Sequence, residues 1–114
     1  MKRLGLLVLG ICAVLLPAAP GSGSLRVTKV VVAASDFKLA LATRTVERGT
    51  VVFAVENRGL VGHDFTIAGK KTPLFERGQG GVLKVTFLKP GRYVYLCDVP
   101  GHADAGMKGV LLVR

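Results

Sequence analysis

The residues of this chain best suited to chemistry stand close together near its end. The stretch Tyr95-Leu96-Cys97-Asp98-Val99-Pro100-Gly101-His102-Ala103-Asp104-Ala105-Gly106-Met107 offers a thiol, an imidazole and a thioether, with four residues between each donor and the next. A second imidazole, His63, comes from a separate part of the chain. Thiolate and thioether suit Cu(I), and imidazole tolerates both oxidation states. Two His and one Cys in a trigonal group, with a weak axial Met, form the donor set of a blue-copper electron-transfer site. That chemistry is the movement of single electrons through one copper ion, with no reaction on a substrate.

Taken singly, each donor has a plain explanation. Cys97 would serve as a small buried apolar residue, His63 as a polar residue at a strand edge, His102 as a surface histidine and Met107 as core filler. Together these explanations lose force. Beyond residue 23 the chain holds two histidines, one cysteine and one methionine, and all four fall in this set.

The first residues read as an export signal. Met1-Lys2-Arg3 is a short positive segment and Leu4 to Leu16 an apolar run. Pro17-Ala18-Ala19-Pro20-Gly21-Ser22-Gly23-Ser24 is a small-residue, helix-breaking tail. That order is the pattern of a secretory signal peptide. Pro20 disfavours a cut after Ala19, so cleavage is expected after Gly21 or Gly23. Residues 1–23 are thus assigned to the leader and 24–114 to one domain. The apolar run is shorter than the roughly 20 residues of a spanning helix, which speaks against a permanent anchor. Cys12 invites a lipoprotein reading, but the bulky Ile11 before it does not suit that processing. It is read as one more apolar leader residue. The expected location is the periplasm or another extracytoplasmic space. There Cys97 has no disulfide partner, and a free thiol is open to oxidation unless a metal holds it.

The whole chain carries a net charge of +9; removing Lys2 and Arg3 from its 16 basic residues leaves 14 against 7 acidic ones, or +7. The basic residues form no run, and an exported chain has little call for nucleic acid. The surplus suits steering toward an acidic partner or an anionic membrane surface. It suits an ordinary solvated surface equally well.

Strands must position the donors, because strand signals dominate. Val51, Phe53 and Val55 alternate with Val52, Ala54 and Glu56, and Leu83, Val85 and Phe87 with Lys84, Thr86 and Leu88. Phe37, Leu39 and Leu41 share one parity, as do His63, Phe65 and Ile67. This period of two marks half-buried strands. Val27 to Ala33 and Val110 to Val113 are largely apolar runs rich in β-branched residues, expected to meet little solvent on either face. Turn chemistry falls between the runs, at Glu47-Arg48-Gly49-Thr50, Asn57-Arg58-Gly59 and Lys89-Pro90-Gly91-Arg92. Residues 70–81 are the one long irregular stretch. About seven short strands without a long amphipathic helix predict an all-β, antiparallel sandwich with Greek-key connections.

In that frame Tyr93, Tyr95 and Cys97 share a strand face, and Cys97 ends the strand aimed inward. Pro100, Gly101 and Gly106 bend the chain so that His102 and Met107 return to the same point. His63 opens a neighbouring strand, His63-Asp64-Phe65-Thr66-Ile67. Asp64 and Asp98, each next to a donor, are candidates for contacts that tie the two ligand segments together; both also read as ordinary polar loop residues.

These residues resemble the cupredoxins, the small blue-copper proteins. The segment from Tyr95 to Val113 is similar to their C-terminal copper loop. Val46 to Asn57 and the triplet His63-Asp64-Phe65 look like the family's other recognisable part. The Cys-x4-His-x4-Met spacing is similar to auracyanin, rusticyanin and sulfocyanin loops, and longer between Cys and His than in plastocyanin. The resemblance covers more than half of the mature chain. It implies a Greek-key sandwich of eight or so strands. It implies copper held by His63, Cys97 and His102 in the plane, with Met107 as the weak axial ligand. It also implies an electron port at the surface edge of His102, ringed by Leu60, Val61, Gly62, Val99, Pro100, Gly101, Ala103 and Ala105. One departure stands out: many members place Asn or Ser after the first His ligand, and this chain has Asp64.

The functional expectation is an exported, monomeric, single-copper electron carrier that is not an enzyme. Its expected partners are redox proteins of cytochrome or oxidase type. The alternative is a periplasmic copper chaperone or copper-storage protein using the same ligands. Chaperones present open, Met- or Cys-rich sites, and this chain has few such residues. Multicopper oxidases and copper nitrite reductases contain similar loops but need further copper sites, for which no histidines are left. A binuclear centre needs two cysteines in the loop, and Cys97 is alone.

Overall fold

Nine strands make up all the regular structure in the computed structural model, which describes residues 26–114 together with Gly5 and Gly10. The proposed leader and Cys12 lie outside the described residues. The strands are β1 (Arg26–Ser35), β2 (Lys38–Leu41), β3 (Thr45–Val46), β4 (Gly49–Asn57), β5 (Thr66–Ile67), β6 (Lys70–Lys71), β7 (Gly80–Phe87), β8 (Gly91–Leu96) and β9 (Lys108–Val113). They form one sheet in the order β2-β1-β4-β7 and another in the order β3-β9-β8-β5-β6.

The sheets are mixed, where purely antiparallel ones were expected. β1 runs parallel to β4 over nine paired residues, and β3 runs parallel to β9. All other pairings are antiparallel. The strands beyond the expected seven are short ones: β3 and β6 have two residues each.

Alternation governs the packing. In β4, Val51, Phe53 and Val55 point into the core. Val30, Val32 and Ala34 do so from β1, Val85 and Phe87 from β7, and Tyr95, Leu111 and Val113 from the other sheet. β1 and β9 were expected to avoid solvent on both faces, and they do not. Val27 is 71% exposed, Val31 46% and Leu112 41%. The reason is the two-layer plan: each sheet covers only one face of the other, so β-branched residues of the wrong parity face water.

Aromatic rings join the layers. Phe53 lies 4.9 Å from Phe65 and 6.4 Å from Phe87 between ring centroids, and Phe65 lies 5.8 Å from Tyr95. This cluster supports the end of the sandwich where the ligand segments meet. Leu96, at the end of β8, pairs with Lys108, at the start of β9, and also with Thr66 of β5. Cys97, Met107 and the His63 segment are therefore delivered to one end of one sheet. The β1–β2 turn, residues 36–37, reaches the same end from the facing sheet.

Phe53 is fully buried at the centre of the aromatic cluster. Phe53→Ala is expected to lower the unfolding free energy by about 3–5 kcal/mol, read as a fall in the denaturation midpoint of the apoprotein.

Candidate metal centre

The His63 segment owes its shape to one buried amide. Asn57, at the end of β4, is 1% exposed. Its Nδ2 donates to the carbonyls of Val61 (2.8 Å) and Phe75 (2.7 Å), and its Oδ1 accepts from Gly59 N–H (2.8 Å). These three bonds fix the loop after β4. His63 then makes a single antiparallel bridge to Phe75, with N–H to O distances of 3.0 and 2.8 Å in the two directions. The expected strand from His63 to Ile67 is thus only Thr66–Ile67, because Phe75 and Thr72, not a neighbouring strand, take the hydrogen bonds of His63 and Phe65.

Cys97 follows the last residue of β8. Its N–H donates to the carbonyl of Met107 at 3.0 Å, which closes the base of the loop. Inside it, successive turns bring His102 back: His102 N–H donates to Val99 O, and Met107 N–H to His102 O. Gly101 and Gly106 have φ of 83° and 116°, a region that glycine enters without steric cost.

Three donor atoms converge. His63 Nδ1 and His102 Nδ1 are 3.1 Å apart, and Cys97 Sγ lies 3.5 Å from His102 Nδ1 and 4.0 Å from His63 Nδ1. A metal about 2.0 Å from each nitrogen and about 2.3 Å from the sulfur, in trigonal arrangement, gives edges of about 3.5 and 3.7 Å. The triangle therefore needs shifts of under about 0.4 Å to close on one ion. His63, Cys97 and Met107 are buried, and His102 is half-buried. Met107 stands on the loop closed by the Cys97 and His102 backbone bonds, with its side chain wholly out of solvent.

Asp64 and Asp98 do connect the two ligand segments, in unequal ways. Asp64 N–H points at Cys97 Sγ (3.5 Å), and Asp64 Oδ1 accepts the N–H of Asp98 (2.8 Å). The Asp98 side chain instead turns outward to Lys71 Nζ at 3.1 Å, and Lys71 also lies 3.8 Å from Asp64. Burial pushes the Cys97 thiol above its ordinary pKa, opposed by the N–H groups of Asp64 and Val99 and reinforced by the two carboxylates. A metal ion here must displace a proton from sulfur.

Two further residues were missed in the sequence. Asp36 Oδ1 lies 2.7 Å from His63 Nε2, and Phe37 packs edge-on against His102 at 5.0 Å and His63 at 6.1 Å. Phe37 shares the parity of Leu39, which suggested a core position, yet it is 43% exposed because it stands in the turn. No local pattern linked either residue to His63, since the connection runs between sheets. The N–H of Leu60 and the His63 ring hold the Asp36 carboxyl below its usual range.

Around the half-buried edge of His102 the surface is mixed, with apolar side chains beside Lys71, Glu76 and Asp98. Val61 and Leu74 are exposed in the groove beside the ring, which Val99 and Pro100 also line, and the exposed Phe37 packs against the ring itself. Leu74 and Phe37 extend the ring of residues expected from the sequence.

The sequence pattern of the copper-binding plastocyanin/azurin family matches residues 27–114. Copper-resistant cuproprotein CopI of Rubrivivax gelatinosus is 32% identical over 118 aligned positions, spanning 83% of this chain and 72% of that protein. Auracyanin-B of Chloroflexus aurantiacus is 43% identical over 42 residues, 37% of this chain and 18% of that protein. The crystal structure of reduced auracyanin from Roseiflexus castenholzii superposes with a TM-score of 0.60 at 20% identity, covering 81% of this chain and 99% of that one, a likeness of fold.

Because binding releases the thiol proton, apoprotein affinity for Zn(II) or Co(II) is expected to rise about tenfold per pH unit below the Cys97 pKa. Chelator competition at several pH values checks this, and a flat profile would mean that sulfur is not a ligand.

Proposed function

The chain belongs to the plastocyanin/azurin family of copper-binding proteins, and from that footing we propose that it is an exported electron carrier with one copper site. In this reading His63, Cys97 and His102 would hold the copper, with Met107 as a further, weaker donor. Copper held there would supply a one-electron couple, Cu(I)/Cu(II). The observation that carries the proposal is the triangle of Nδ1, Nδ1 and Sγ, held by backbone bonds in a position that a metal needs to move little.

The chain's own residues do the rest. Asn57 and the Met107–Cys97 bond keep the donors from rearranging as charge changes, which suits an ion whose two oxidation states prefer different geometries. The buried core excludes water from the sulfur, and Phe37 packs edge-on against both imidazoles. The exposed side chains of Val61, Leu74 and Phe37 form an apolar rim by which a redox protein approaches His102, with Lys71, Glu76 and Asp98 at its border. A cytochrome or oxidase-type partner fits that rim, with the basic surplus steering an acidic one. Residues 1–23 act as the export signal and 24–114 as the carrier domain, which works outside the cytoplasm as a monomer. No catalysis on a substrate is assigned to it.

A second reading, copper chaperone or storage, has one observation in its favour: the relative from Rubrivivax carries copper resistance in its name. The two readings differ in lability. A carrier keeps its copper against a competing chelator while changing oxidation state; a chaperone gives it up.

Copper reconstitution of residues 24–114 is expected to give an intense visible band from Cu(II)–thiolate charge transfer and a matching EPR spectrum. Cys97→Ala is expected to lose the band entirely. A native protein that binds copper without the band would favour the chaperone. Asp64→Asn retains an acceptor for Asp98 N–H and removes a charge beside the sulfur, so its midpoint potential is expected to exceed the native value; redox titration reads this directly.

A further inference from the structure

His63 has two ring nitrogens, and the fold uses them differently. Nδ1 faces Cys97 and His102, while Nε2 lies 2.7 Å from Asp36 Oδ1. Asp36 belongs to neither ligand segment; it stands in the turn between β1 and β2. Its carboxylate also accepts N–H groups of Leu60 (2.9 Å) and Val61 (3.4 Å), on the loop leading to His63. The His63 side chain is fully buried and that of Asp36 is only a quarter exposed. Position 59 is kept clear for the pair. A Cβ on Gly59 would collide with Asp36 Oδ1 and stand 2.9 Å from His63 Nε2. Gly59 does not have a positive φ, so its role is space and not backbone freedom.

We propose that Asp36 is a positioning residue for the copper site, setting both the orientation of His63 and its strength as a donor. The inference rests on the copper-carrier reading above. Accepting the Nε2 proton holds the ring in the tautomer whose Nδ1 lone pair faces the other donors. A full negative charge on the far side of the ring makes Nδ1 the more basic ligand. A more basic ligand favours the doubly charged ion over the singly charged one, so Asp36 holds the midpoint potential down. A neutral acceptor in that place would orient the ring without this electronic effect.

The test compares copper-loaded native protein with Asp36→Asn and Asp36→Ala by redox titration, visible spectra and copper affinity. Asn retains an oxygen for Nε2–H and drops the charge. Asp36→Asn is expected to retain the Cu(II)–thiolate band with a raised midpoint potential; a tenfold greater loss of Cu(II) than of Cu(I) affinity corresponds to about 59 mV. Asp36→Ala also removes the acceptor and is expected to weaken Cu(II) binding by about 10–100-fold. An Asp36→Asn potential equal to or below the native value overturns the inference. If the variants do not fold, NMR of the native Cu(I) protein decides: a slowly exchanging His63 Nε2–H is expected, and a rapidly exchanging one overturns the proposal. Native protein that takes up copper without the thiolate band sinks the carrier reading and this inference with it. A native band beside unchanged variant potentials sinks this inference alone.

Discussion

Two bonds between distant segments set the geometry of this centre: Asp98 N–H to Asp64 Oδ1, and Asp64 N–H to Cys97 Sγ. The pairing of β5 with β8 already sets the His63 segment beside the strand that ends at Cys97, and these two bonds carry that registration on to the donors themselves. With them, the sulfur and the first imidazole are held in one frame, and the turns that end in Met107 N–H to His102 O bring the second imidazole into it. The Asp64–Cys97 bond is buried and the Asp98–Asp64 bond partly so, and the less water reaches such a bond the stronger it is and the costlier an unmet partner. No buried side-chain nitrogen or oxygen among the described residues lacks a hydrogen-bond partner. The pocket is thus stiff before any ion arrives.

The sandwich contributes by bringing chain ends to one place. β8 and β9 pair so that Cys97 and Met107 emerge side by side, and β5 lies on the other flank of β8. Between the sheets, Phe53, Phe65, Phe87 and Tyr95 fill the interior beneath the site. Large, fully buried rings have little room to shift at native packing density. Stiffness at the donors therefore comes from both hydrogen bonds above and packing below.

The parts legible in the sequence were those encoded locally. Alternation exposed β4 and β7, and the donor spacing exposed the loop from Cys97 to Met107, because each feature repeats or clusters within a dozen residues. The neighbouring donor segment was found through its histidine, and Asp64 through its adjacency. What was hidden depends on contacts between remote segments. The parallel pairing of β1 with β4 has no signature in either strand alone. The solvent faces of β1 and β9 read as core, since Val27, Val31 and Leu112 are apolar whichever way they point. The strand expected at His63 shrank because Thr72 and Phe75, from the irregular stretch, supply its partners. Asp36 and Phe37 sit 26 and more residues before His63 and meet it only once the sheets have closed.

That last contact has a bearing on engineering. The residues from Cys97 to Met107 look like a cassette that could be transplanted into another β-sandwich, carrying a thiol, an imidazole and a thioether in one short peptide. Yet the groups that hold the ring of His63 belong to a hairpin in the opposite layer, and they fit only because residue 59 has no side chain. A graft would move the donors and leave their electronic surroundings behind, so hosts with identical loops need not share a redox character.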